Sequence, residues 1–450
     1  MTAPIWARSA IIAGTVLAAC QFSHGVLSAT DGDGGTDGPL PDAGMCETLA
    51  SQCVGDTLRV CTAIGTMPSE IACSWGCVDG PPRCAHVIPS GSGGVATDGV
   101  LPSDVAPDGL ADTTLTDVII NSDTGEIGTD QVPDLHHGDD SGIENGIDYR
   151  RRGPITMFRF KSLTLAGTIT LIGSRPIALV SDGAVKVDGI IDARGRCELS
   201  TAGPGGFGGG SAGNQDGRAP VGTMAGGSGA TSSSGGGGGG HASAGGSGEI
   251  AAGGEPFGEP TIMTLVGGAG GGAGGGGMNF GRGGGGGGAL QIVSNLEITI
   301  PGGGINAGGC GGEPGTGNND SGGGGGAGGT ILLEAPLVTI TGTLAANGGG
   351  GGGGGGAIAK PGDDGTLDTL PAAGGSGDSN NDELGGPGAA TGAEAGSGGD
   401  GSNPGGGGGG IGRIRINTRG GTGATLTSAT LSPGETDPEM RFSTGSAATN

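Results

Sequence analysis

Apolar and polar residues alternate along short stretches of this chain, and the alternation recurs. Leu163-Thr164-Leu165, Val185-Lys186-Val187, Ile298-Thr299-Ile300 and Val338-Thr339-Ile340 each set a polar residue between two apolar ones. A period of two marks a β-strand with one buried face. The neighbours of these triplets return as well. Leu179 to Gly195 aligns without a gap with Leu332 to Gly348, and Ile292 to Gly309 fits both with one extra residue near Gly304. Leu163 to Ile169 is a partial copy. Arg413 to Asn417 with Ala424 to Leu431 is a degenerate one. Each copy reads strand, turn, second strand, glycine, third short strand. One such unit cannot bury its apolar face, but stacked units can. The pattern predicts an all-β fold, a right-handed parallel β-helix (solenoid), over residues 150–445.

Composition adds a difficulty. Glycine supplies 118 of the 450 residues, against an ordinary usage of roughly 7%. Most of it lies in three inserts, about 196–288, 310–329 and 349–410. All leave after a third strand and return before a first one, so they should project from one corner of the stack. Two conformations are open. Polyglycine loses the most backbone freedom on ordering, which favours disordered loops. Chains without side chains can also lie closely side by side as polyproline-II-like segments. The strict three-residue repeat of collagen is absent.

Charge narrows the partners. The 19 basic and 44 acidic residues give −25, which argues against nucleic acid, whose binding needs Lys and Arg on phosphates. Residues 87–148 carry 11 Asp and two Glu, with no Lys or Arg from Ala85 through Tyr149. Low hydrophobicity with charge of one sign reads as a disordered linker, 87–149, and residues 20–44 read as a second tether. The Asp-Gly run from Asp31 fails the EF-hand spacing because position 5 is Gly35. His136-His137-Gly138-Asp139-Asp140 reads as solvated, and no metal or other cofactor is expected.

Six of the nine cysteines, Cys46, Cys53, Cys61, Cys73, Cys77 and Cys84, cluster within 39 residues. So short a segment (the predicted module is 45–86) needs covalent staples to fold. Six cysteines allow 15 pairings, and spacing does not choose among them. Cys197 and Cys310 follow the equivalent residues Ile191 and Ile305 by similar distances, so they should meet at one corner and form a disulfide. The ninth, Cys20, ends the run Val16-Leu17-Ala18-Ala19-Cys20 behind Arg8 and an apolar stretch too short to span a bilayer. This run resembles the lipobox of bacterial lipoproteins. The resemblance implies a signal peptide at 1–19, lipid on Cys20, and a membrane as partner. Gln21 after the cysteine fits sorting to the outer membrane, on its surface or periplasmic side. The cysteine cluster is similar to a small module near the N-terminus of lipoproteins from large-genome Gram-negative bacteria, and the whole chain resembles their Gly-rich lipoproteins.

Stacked repeats of this kind resemble the pectin-lyase-like superfamily, whose enzymes cut polysaccharides with outward carboxylates. Asp182, Lys186, Asp188 and Asp192 alternate in the first full copy, so one face could show two carboxylates and a lysine. Later copies put Glu334, Thr339 and Thr341 there instead, so no catalytic residue is assigned. There is no G-x-S-x-G elbow or phosphate loop, and His241 stands alone in glycine. The sequence therefore predicts a non-enzymatic envelope or surface lipoprotein for adhesion, coat structure or glycan contact. The alternative is a polysaccharide lyase or hydrolase. A flat glycine face against a crystalline surface would call for threonine ladders, and only the short run Thr339, Thr341, Thr343 is evident.

Overall fold

The computed structural model describes residues 45–91, 99–105, 109–129, 132–138, 141–199, 201–231, 233–378 and 383–450. The expected signal peptide, Cys20, the expected tether to residue 44, and Asp139 and Asp140 lie outside the described residues.

The regular elements of the described chain are almost all β-strands, and three sheets dominate. Sheet I has eight strands: Gly142–Glu144, Ile147–Arg152, Ile155–Phe160, Ile177–Ser181, Ala289–Ser294, Thr330–Glu334, Arg413–Thr418 and Phe442–Ser446. Sheet II has six: Asp112–Thr116, Ser162–Ala166, Val185–Val187, Glu297–Ile300, Leu337–Ile340 and Ala424–Thr425. Sheet III orders Val132–His137, Glu126–Thr129, Ile119–Asn121, Thr168–Ile172, Ile190–Asp192, Gly304–Asn306, Thr343–Ala345 and Thr430–Ser432. The repeats pair in parallel throughout. Antiparallel strands extend the N-terminal edges of sheets I and III.

Each repeat adds one strand to each sheet in the order I, II, III, and its inward residues stack on those of the next. Phe158, Leu179, Ile292, Leu333 and Ile416 form one column, Leu165 and Val187 begin a second, and Ile169, Ile191, Ile305 and Leu344 a third. All are buried in one core. Burial of each such side chain contributes about 1.5–3 kcal/mol.

The gapless alignment holds in sheets II and III but slips by one residue in sheet I. Leu179 stacks through Ile292 on Leu333, not on Leu332. Sheet I is buried on both faces, so Ile177–Ser181 and Thr330–Glu334 carry apolar residues at consecutive positions. A strand covered on both faces offers no alternation to fix its register.

The acidic stretch 87–149 is not a linker, contrary to its composition. From Asp112 onward it supplies the first strands of all three sheets. Its acids are matched by the basic run that follows. Asp104 and Asp148 are buried against Arg150, Arg152 and Arg159, with Arg152 at 2.7 Å from Asp104 and Arg159 at 2.9 Å from Asp148. Asp112 meets Lys161 at 2.8 Å, and the Asp117 and Asp123 carboxylates accept from the Thr168 and Ser174 amides. His136 is buried, edge-on to Tyr149 at 5.6 Å, while His137 contacts Glu144. The expected solvated histidine pair is therefore split between core and surface.

The cysteine module is joined 46–61, 53–77 and 73–84. It docks on the outer face of sheet I, where Trp75, Ala85 and Val87 pack against Ile155, Met157, Ala178, Val180 and Leu332. The C-terminal strand Ala448–Thr449 pairs with Val87–Ile88. Beneath the docked strand, buried Glu334 accepts from Ser90 N (3.1 Å), Gln291 Nε2 (2.7 Å) and Asn417 Nδ2 (3.0 Å). Glu334→Gln sets an NH2 group against these donors. It is expected to cost about 1–3 kcal/mol and to speed hydrogen exchange at 87–91 more than in sheet III. Unchanged exchange at 87–91 would refute the role given to Glu334.

The described residues of the three inserts, which span 193–288, 307–329 and 346–412, are ordered, which decides between the two open conformations. Gly236 N donates to Gly322 O, Gly237 N to Ser228 O, Gly238 N to Gly246 O and Gly239 N to Gly325 O, at 2.8–2.9 Å. Three successive residues reach three different neighbouring segments, and the fourth returns to the first. That is the directional period of a helix with three residues per turn, as in polyproline II. The segments close on one another: Gly325 N donates to Gly407 O and Gly407 N to Gly236 O, both at 2.9 Å. The result is a bundle of extended segments joined backbone to backbone. It grows out of sheet III, where Ala193 N donates to Asn306 O, Ala307 N to Ala345 O and Ala346 N to Ser432 O. A Cβ on Gly238 would lie 1.9 Å from Gly408 O, and one on Gly351 2.0 Å from Gly406 O. Glycine is there because nothing larger fits between the chains.

Candidate functional site

Cys197 and Cys310 are bonded to each other at the base of the bundle, with Cα atoms 5.1 Å apart. Their sulfurs and an Asp364 carboxylate oxygen lie within 4.8 Å of one another. A metal is bound by thiolates, so the disulfide takes both sulfurs out of any ligand set. Asp364 instead accepts from Gly311 N at 2.9 Å.

The four charged residues of the first full repeat do not share a face. Asp182 follows the sheet I strand, Lys186 is on sheet II, Asp188 lies in the next turn and Asp192 is on sheet III. Each carboxylate has a separate local partner. Lys186 Nζ is 2.9 Å from Asp188. Arg194 grips Asp192 through two bonds of 3.0 and 2.8 Å, and Asn295 reaches Asp182 at 3.4 Å. Alternation along one chain placed them together on paper. The turns between three sheets point them apart.

Sheet II bears a column that no single repeat reveals. Thr114, Thr164, Lys186, Thr299, Thr339 and Thr425 occupy one outward register position across six strands, at the strand spacing of about 4.8 Å. Thr341 and Thr343 do not belong to it: Thr343 is on sheet III and Thr341 in the turn before it. Beside the column stand Asp112, Ser162, Glu297 and Leu337, and Lys186 interrupts it. A single threonine file flanked by charges is not the flat, uniform face a crystalline surface needs.

His241, isolated in sequence, is enclosed where the bundle meets sheet I. Its Nδ1 is 2.7 Å from Gly328 O, and its ring stacks on Phe257 at 4.7 Å. Burial, reinforced by the Arg413 charge, pushes its pKa down to about 3, and the backbone acceptors Gly328 and Gly329 oppose this. A neutral, enclosed imidazole is a packing element.

Among the described residues, an open cleft of about 920 Å³ lies between the sheet III corner and the first glycine insert. Ligand sites commonly measure roughly 300–1,000 Å³. Asp123 and Ser174 come from the corner turns, Arg196 and Leu199 from the segment after the second repeat, and Phe207 and Arg218 from the bundle. Phe207 is half-buried and held by its amide on Gly268 O at 3.0 Å. The Asp123 carboxylate is engaged by the Ser174 amide and hydroxyl at 3.0 and 2.6 Å. Sequence reasoning missed this cleft because 21 residues of insert separate its two arginines. The only signal is that the glycine-rich inserts, otherwise almost free of charge at this point, carry arginine at both positions.

Among the described residues no helix is long and apolar enough to cross a membrane. No protein-family model, no curated protein and no solved structure matches the chain.

Proposed function

We propose that this protein is a non-enzymatic lipoprotein of the outer membrane, lipidated on Cys20, that contacts glycans or neighbouring envelope components. In this reading the three sheets are a right-handed parallel β-solenoid, and the bundle is a rigid plate it displays. The observation that carries it is the bundle. Some 200 residues are spent on backbone-to-backbone bonds that build an inflexible body, as adhesion or coat structure requires and as an active site with a moving lid does not. The separate pairing of Asp188 and Asp192 gives the same support against a glycosidase, which needs two carboxylates that converge on one bond.

Two or three acyl chains, at about 0.8 kcal/mol per buried methylene, would hold the chain firmly at a membrane. Expression in a Gram-negative host with an alkyne-tagged fatty acid is expected to label the wild type and leave Cys20→Ser unlabelled and released from the membrane fraction. Equal labelling of both, or no label on either, would overturn the anchored reading. Asp188→Asn with Asp192→Asn is expected to leave glycan binding unchanged. Any depolymerising activity lost with those two changes would favour the enzyme instead.

A further inference from the structure

We propose that the cleft at the sheet III corner binds an anionic polysaccharide through Arg196 and Arg218. This deepens the glycan-contact reading above and rests on it. The argument begins with where positive charge is left over. Most basic side chains of the described chain are committed to carboxylates: Arg59, Arg150, Arg152, Arg159, Lys161, Lys186, Arg194, Arg282, Arg419 and Arg441 all have an acidic partner within 4.0 Å. Arg196 and Arg218 are exposed and have neither an ion pair nor a side-chain hydrogen bond among the described residues. Both line the same cleft.

Two further arginines strengthen the corner. Arg151 donates to the backbone oxygen of Asp123, and Arg175, next to Ser174, donates to Gly153 O. Backbone carbonyls do not cancel their charge. Asp123 is the one acid among the described lining residues, and it offsets one of these charges. A chain of net charge −25 thus gathers four guanidinium groups around a single carboxylate at one corner.

Guanidinium is a planar fork that matches sulfate, phosphate or carboxylate with two parallel bonds. The half-buried Phe207 ring lines the same cleft as the two cations and offers an apolar face suited to the C–H face of a pyranose. An open cleft with separated cations fits a polymer with spaced charges better than a small ion. Nucleic acid is disfavoured, because its charge density of one per about 1.7 Å would meet the negative surface around the corner. A glycan carries about one charge per sugar. Screening over about 10 Å at 0.1 M salt lets the local positive site act inside a negative surface.

The test uses the full chain and a matched pair of probes, fluorescein-labelled dextran sulfate oligosaccharide and unsulfated dextran of the same length, read by anisotropy. The wild type is expected to bind the sulfated probe and not the neutral one. Affinity should fall at least about tenfold in Arg196→Ala/Arg218→Ala and recover in part in Arg196→Lys/Arg218→Lys. Raising salt from about 0.05 to about 0.5 M should weaken the wild type in the same direction. Failure of the wild type to bind, equal binding of both probes, or full affinity in the alanine variant would overturn the site. Attachment of the alanine variant to purified envelope polysaccharide separates the two readings. If that attachment persists unchanged, the cleft is wrong and glycan contact stands. If neither wild type nor variant attaches, glycan contact itself fails.

Discussion

Replacing Gly324 by alanine is expected to break the glycine bundle, although the change adds a single methyl group. Gly324 donates to Gly272 O at 2.9 Å and accepts from Gly284 N at 2.8 Å. Its Cα faces a third segment, where an added Cβ would sit 2.0 Å from Gly237 O. No neighbouring side chain can swing aside, because the obstacle is backbone already bonded to Gly272. One segment must move out, and the bonds on both its sides go with it. Overpacking of a close-packed site costs about 1–3 kcal/mol and sometimes more, and each broken hydrogen bond adds about 1 kcal/mol. A loss of about 3–5 kcal/mol follows. In calorimetry of a chain of 450 residues it should lower the melting midpoint by roughly 3–6 °C. Hydrogen exchange should show amides in 235–241, 321–329 and 404–412 opening together. Gly302→Ala is the control, since a Cβ there meets nothing within 4 Å, and it is expected to melt within about 1 °C of the wild type. If Gly324→Ala melts with the control, the segments are not packed as described.

The same residues explain why the bundle was only half legible in the sequence. A strand announces its buried face by alternation, and Val185-Lys186-Val187 or Ile298-Thr299-Ile300 gave sheet II away. The bundle has a period of three, but when all three directions need glycine the period leaves no trace. Sheet I hid its register for a related reason: both faces of Ile177–Ser181 are buried, so four apolar residues follow one another from Ile177 to Val180 with no alternation. The acidic stretch misled in another way. Asp104, Asp112 and Asp148 look like a self-repelling tether until Arg150, Arg152, Arg159 and Lys161 fold back on them. Charge balance was a property of the fold, and counting within a window of 60 residues could not see it. The corner holding Cys197 and Cys310 was legible because aligned repeats place equivalent residues together. Arg196 and Arg218 became neighbours only through the path of the insert, which no pattern encoded.

Acid is expected to weaken the folded chain through one buried histidine. His241 lies in the bundle with Nδ1 directed at Gly328 O and its ring on Phe257. Its Nε2 lies 3.5 Å from the Thr330 hydroxyl, which is already bonded to Val266 O. Protonation would put a second cation beside Arg413, whose guanidinium donates to Phe257 O and Gly258 O at 3.1 Å. Burial first and Arg413 second therefore hold the folded pKa at about 3, against 6.5 for the free side chain. Between those values the unfolded chain binds a proton that the folded chain refuses. The stability from this group is complete above pH 6.5, and it is lost as pH falls toward 3, at about 1.4 kcal/mol per unit. The whole span is worth about 5 kcal/mol, and the part between pH 6.5 and 4.5 about 2–3 kcal/mol. His241→Gln removes the titrating group. Glutamine fills the space less well and lowers the starting stability, so the readout is the slope of unfolding free energy against pH. Other histidines and the carboxylates titrate in both proteins and cancel in the comparison. The wild-type slope should exceed the variant's by close to one proton across that window. Parallel slopes would mean that His241 takes up its proton in the folded state. The closed junction between bundle and sheet I would then have to open to water.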